Sequence, residues 1–246
     1  MRRATIHLKF GAKRAPPCSA AWRLLGIGVN TLEQRGDGFW RKVASLLGMG
    51  RDNGPIDSVA ALENFVATRS AYVAQKTLYG YVKTRMGTRY PAMFEDKNMV
   101  ASLNIAKMYV FAACLSDLSI YAVATAVYGR SVPNDSSREL ARRCYAAGLR
   151  DNSADAPAEF SAQDCIDQFD RRLSETDWQH GARQRENFSQ SPAALVRWAP
   201  IVDKLKKLDS EIVENSVKFS WRDIREQFNN RLNAAAVAAD WARQSF

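Results

Sequence analysis

Five cations and four tyrosines crowd the stretch "TRSAYVAQKTLYGYVKTRMGTRYP" (68–91), with no acid between Glu63 and Glu95. Their order is regular. Arg69, Lys76 and Lys83 are seven residues apart, and Tyr72 and Tyr79 repeat the same interval three residues behind a cation. Seven residues is close to two helical turns, so these cations and tyrosines share one side of a helix. Cations over tyrosine rings make cation–π contacts. Two chemistries suit such a ladder. It can meet an anionic ligand, such as a phosphate, a carboxylate or a lipid headgroup. Alternatively it can be answered inside the protein by acids from other helices, with Asp117, Glu211 and Glu214 as candidates. The second reading is favoured, because cations interleaved with tyrosines tend to be partly buried along their stems. Asp117 in particular needs a partner, since a lone buried carboxylate is costly.

Four carboxylates, Glu63, Asp117, Glu211 and Glu214, form the one acid set that could hold a metal or act as acid and base. Ion-pair networks imitate such sites often, so salt-bridge partners of the ladder are the preferred reading, and neither a metal nor a cofactor is expected. The familiar catalytic signatures are absent. There is no G-x-S-x-G, S-x-x-K, H-E-x-x-H, P-loop or G-x-G-x-x-G. Only two histidines exist, His7 and His180. A serine triad would have to join His180 to a distant serine such as Ser116 or Ser189, a weak signal in a chain this long. Cys18, Cys114, Cys144 and Cys165 form no C-x-x-C pair, which points away from zinc and redox motifs and towards a reducing, cytoplasmic setting.

The net charge of +9 is unevenly placed. Residues 1–54 carry ten Lys/Arg and three Asp/Glu, a net of +7, while residues 55–246 carry 25 and 23, a net of +2. The body therefore lacks the basic footprint of a nucleic-acid binder. Residues 1–54 read as a basic extension and linker, expected to be a disordered tail or a start set too far upstream rather than a targeting segment. A small anionic ligand or a protein partner fits the body best.

The elements that must position these residues are helical throughout. Asp57 and the run Val59, Leu62, Val66 open a helix that can reach Met86, with Gly87 as its stop. A second helix runs from about Asp96 to Tyr128. Its stretch 108–128 is 21 residues with a single charge, Asp117. That length could span a membrane, but a carboxylate near the centre costs roughly 2.5–3.5 kcal/mol there, so a central helix wrapped by others is the better reading. Ser136 with Glu139 suggests a capping box for a third helix closed at Gly148, and Ser161 with Asp164 suggests another. Ser191-Pro192 reads as an N-cap with proline at N1, and Pro200 should break that helix. The last long helix spans about 201–232. Leu205, Leu208, Ile212 and Phe219 line one of its stripes, and Val217, Trp221, Ile224, Phe228 and Leu232 line another. The expected fold is an all-α irregular bundle around a central apolar helix, without a sheet, over residues 55–233, followed by an Ala-rich tail at 234–246.

The stretches "RSAYVAQKTLYGYVKTRMGTRYPAMFED", "ACLSDL" and "RWAPI…EIVENSV" resemble an uncharacterised family of alphaproteobacterial helical proteins, across roughly residues 55–232. Some members of that family are labelled "esterase". The resemblance implies a bacterial, cytoplasmic helical protein and, through the label alone, an esterase-type hydrolase as the alternative to a binding protein. It brings no catalytic motif that matches positions here.

Overall fold

A computed structural model describes residues 54–244, apart from 154–155, 179–182 and 185–186. The basic extension, with Cys18 and His7, and the loop histidine His180 lie outside the described residues. Seven α-helices follow one another: α1 (Val59–Met86), α2 (Lys97–Val127), α3 (Asn134–Asn152), α4 (Ala162–Glu175), α5 (Gln190–Trp198), α6 (Asp203–Arg231) and α7 (Ala234–Gln244). Two 3-10 turns, Gly87–Arg89 and Pro91–Glu95, join α1 to α2. No strand occurs among the described residues; Ile56 and Leu232 form a lone parallel bridge. The all-α bundle is as the sequence predicts.

Helix α2 is the centre. From Val110 to Val127 only Ala113 and Thr125 are not buried. Helices α1, α3, α5 and α7 pack around it. It is the one described helix long and apolar enough to cross a membrane, and 89% of its apolar window is covered by the bundle. Gly148 of α3 lies so close to α2 that a Cβ there would meet Leu115 Cδ1 at 2.8 Å. The glycine thus serves helix packing, not termination, and α3 runs past it to Asn152.

Local signals set most helix ends. The Ser58 hydroxyl, not Asp57, caps α1 by accepting from the Ala61 N–H. Gly87 closes α1 at φ 55°, a left-handed angle that favours glycine, and its N–H donates to the Lys83 carbonyl. Asp96 caps α2, and Ser161 caps α4 through the Asp164 N–H. Two expected caps are corrected. Ser136 does not cap α3; its hydroxyl accepts from Trp241 Nε1 at 2.8 Å. Ser191 lies inside the first turn of α5, with its side chain turned into the core. Pro200 ends α5 as expected, with Ala199 at its C-cap.

The stretch read as a tail is α7, which buries Val237 and Trp241 against the body. It also locks the ends together. The Val59 N–H at the start of α1 donates to Asp240 Oδ2 at 2.8 Å, and the Ile56 N–H donates to the Arg231 carbonyl at 2.8 Å.

Helix α6 presents two faces. Val213, Val217, Trp221, Ile224 and Phe228 are buried. The stripe of Leu205, Leu208, Ile212 and Phe219, the other apolar line of this helix, faces outward. A helix on the edge of a bundle has only one side to bury, and the bulkier stripe with Trp221 and Phe228 takes it.

Candidate functional site

The predicted carboxylates do not meet. Glu63 pairs with Arg143 of α3 at 2.7 Å, Glu214 pairs with Lys218 of its own helix at 3.3 Å, and Glu211 is exposed. No group of three His, Cys, Asp or Glu residues suited to a metal exists among the described residues. The ladder residues do lie along one helix, but Asp117, Glu211 and Glu214 do not answer them. Lys76 is exposed with its ammonium 5.7 Å from the Tyr72 ring centre, and Arg69 lies 5.6 Å from the Phe65 ring. Tyr72 and Tyr79 are half-buried against the core, as is Lys83. Gly80 is exposed, with nothing close to its Cβ direction. The polar contact between α1 and α6 falls on neighbouring residues. Arg85 binds the carboxylate of Asp209 through two nitrogens, and the Tyr81 hydroxyl donates to Asp209 Oδ2 at 2.8 Å. The acid found, Asp209, lies two residues before Glu211 and five before Glu214, a slip of about half a turn to one and a half turns along α6.

Asp117 is fully buried, and its partner is Arg172 of α4. Arg172 Nη1 donates to Asp117 Oδ1 at 2.8 Å and to the Ser116 hydroxyl at 2.7 Å, while Nη2 donates to the Asn187 carbonyl. The other carboxylate face points at the start of α5. The Gln190 N–H donates to Oδ1 at 3.3 Å, the Ser191 N–H to Oδ2 at 2.9 Å and the Ser191 hydroxyl to Oδ2 at 2.6 Å. Trp221 Nε1 in turn donates to the Ser191 hydroxyl oxygen at 2.9 Å. First-turn N–H groups lack partners within their own helix and carry partial positive charge, so a carboxylate there satisfies both. Burial pushes the Asp117 carboxyl above its ordinary range, and Arg172 and Ser191 pull it partly back. Asp117 thus joins α2, α4, α5 and α6 at one point.

Above this junction a cleft of about 440 Å³ opens between α2, α4 and α5. Arg172 and Ser116 stand at its floor, and Arg171 and Arg197 line it with Glu175, Gln168 and Gln190. One wall is aromatic. Tyr109 and Trp198 stack at 3.8 Å with planes 4° apart, and Phe160 meets Tyr109 edge-on at 5.1 Å. The Tyr109 hydroxyl is held by the Glu159 carbonyl at 3.0 Å, which fixes the ring. Cys165 also lines the cleft, with its thiol pushed up to about 11 by burial, so it stays protonated near neutrality. The cleft contains three guanidinium groups. Asp117 pairs with Arg172, while the Arg197 guanidinium lies 5.2 Å from the Trp198 ring centre.

Serine chemistry finds little support among the described residues. Ser191 is buried beneath the cleft, and its hydroxyl proton is committed to Asp117. Ser116 accepts from Arg172, and Ser189 is exposed just before α5. Arg172 was not among the residues singled out from sequence. The signal was there: Cys165, Phe169, Arg172 and Leu173 recur at helical spacing, which places one cation on the apolar stripe of α4. No family model, curated protein or solved structure matches the chain.

Proposed function

We propose that the protein is a helical binding protein whose ligand is a small organic anion with a flat apolar part, held in the cleft between α2, α4 and α5. The observation that carries this reading is the fixed guanidinium of Arg172 beside two further arginines and a stacked Tyr109–Trp198 wall. Arg172 has five N–H donors, and three of its bonds are already made, which holds the remaining edge in place. A guanidinium pre-set in this way loses little entropy on gripping a carboxylate or phosphate. The volume lies within the range of small-molecule sites, about 300–1,000 Å³. The aromatic wall offers a flat surface for stacking.

Calorimetric titration of the full chain with benzoate, phenyl phosphate and benzyl alcohol tests the proposal. Saturable binding of at least one anion and none of the neutral alcohol is expected. Replacing Arg171 and Arg197 together by alanine should weaken that binding about ten- to hundredfold, the value of one charge-assisted hydrogen bond. Absence of saturable binding by either anion, or equal affinity in the double variant, would overturn it.

A further inference from the structure

We propose that the ligand of the cleft is a rigid, elongated dianion, with one acidic group on Arg172 and the other on Arg197. This rests on the reading of the cleft as an anion site and adds to it a length and a second charge. The three helices fix where each end lies. On α2, the Ser116 hydroxyl meets Arg172 at 2.7 Å, and Tyr109, seven residues earlier, stacks on Trp198 at 3.8 Å. Helix α5 runs the opposite way along the cleft, since the Ser191 N–H at its start reaches Asp117 and Trp198 at its end reaches Tyr109. Helix α4 runs in the same sense as α2. The Ser161 N–H at its cap donates to the Tyr109 hydroxyl at 3.4 Å, and Arg172 further on meets Ser116. Arg172 therefore marks one end of the cleft and the Tyr109–Trp198 stack the other. Seven helical residues rise about 10 Å, which is the distance between the two ends.

Each end has a guanidinium of its own. Arg197 lines the cleft beside Trp198, with its guanidinium 5.2 Å from that ring centre, and makes no ion pair among the described residues. Arg171 lines the cleft next to Arg172 and adds to the positive charge at that end. Between the ends the lining changes. Ala112 and Ala113 of α2 and Ala193 and Ala194 of α5 are small and apolar, which suits the flat body of a ligand and offers no charge to its middle. Glu175 lies about one turn beyond Arg172 on α4 and also lines the cleft, so a ligand that extends past Arg172 meets a carboxylate. The lining thus favours negative charge at two points, an apolar stretch between them, and a limit on length. Biphenyl-4,4′-dicarboxylate matches that separation, and terephthalate is too short for it.

Calorimetric titration of the full chain with biphenyl-4,4′-dicarboxylate, biphenyl-4-carboxylate, terephthalate and benzoate tests the span. The biphenyl diacid should bind about five- to tenfold more tightly than the monoacid, the gain of a second charge-assisted contact. Terephthalate should show no such gain over benzoate. Arg197 is exposed, so Arg197→Gln should keep the wild-type circular dichroism spectrum. It should cut the diacid's advantage to about twofold, which two equivalent ends supply by counting alone. A wild-type advantage no greater than that, or one that survives Arg197→Gln, would overturn the proposal. So would an equal gain for terephthalate over benzoate. In each of these cases saturable binding of the monoacid leaves the anion reading of the cleft standing. Absence of binding by the biphenyl acids, benzoate and phenyl phosphate removes both.

Discussion

Asp117→Asn removes one charge and changes no shape, so it isolates the junction on which the cleft rests. The wild-type carboxylate receives donors on both oxygens: Arg172 and Gln190 on one, and both Ser191 groups on the other. An asparagine has one carbonyl oxygen and one NH2 group. Whichever way it turns, an N–H faces other N–H donors, and at least one of them loses its acceptor. A protonated aspartic acid escapes most of that conflict because its hydroxyl carries a single hydrogen that can turn. Arg172 meanwhile keeps only neutral partners, Ser116 and Asn187. Removing one partner of a buried pair costs about 3–5 kcal/mol. At roughly 2–4 °C per kcal/mol for a domain of this size, the melting temperature should fall by about 6–20 °C. Urea unfolding followed by tryptophan fluorescence measures the free energy directly. The double variant Asp117→Asn with Arg172→Met should cost less than the sum of the single changes, with a coupling of about 1–3 kcal/mol. A loss below about 0.5 kcal/mol for Asp117→Asn, or strictly additive losses, would refute the reasoning.

The two acids on α6 give a contrast. Asp209→Asn should cost about 1–3 kcal/mol by urea unfolding, because Asp209 is buried with Arg85 and Tyr81 upon it, while Glu214→Ala should change stability by less than about 0.5 kcal/mol. Asp240 predicts a pH dependence. The Val59 N–H, then Arg243 and Gln244, hold its carboxyl below the ordinary 3.8, so its contribution is present above that value and is lost as pH falls through the native value. The difference in unfolding free energy between wild type and Asp240→Asn should therefore shrink on acidification below 3.8, and a difference constant with pH would contradict the contact.

Elements governed by local rules were legible in the sequence. Gly87, Asp96 and Ser161 mark helix ends because capping depends on neighbours within a few residues. The central role of α2 was legible for a similar reason, since an apolar run with a lone aspartate suits only a covered helix. Pairings across the bundle were not. Asp117 needed a cation, and the cation-rich α1 looked like its source, but the choice between Arg172 and Lys76 depends on which face α2 turns to each neighbour. A rotation of one residue, about 100°, decides that, and periodicity does not report it. Ser136 and Ser191 mislead in the same way, because a serine can cap its own helix or serve a distant indole or carboxylate. The two stripes of α6 look alike in sequence, and their fates separate only when the rest of the bundle has covered one.

The clasp between the two ends of the body has a consequence for synthesis. The first amide of α1 finds its acceptor on Asp240, 181 residues later. At ribosomal speeds of 5–20 residues per second, roughly 10–40 s pass between the appearance of the donor and that of the acceptor. During that interval α1, made first, can already pack against α2, but the sides of α2 that α5 and α7 cover stay bare, since those helices belong to the last part of the chain. The nascent chain therefore carries an apolar face of α2 that only its last helices cover.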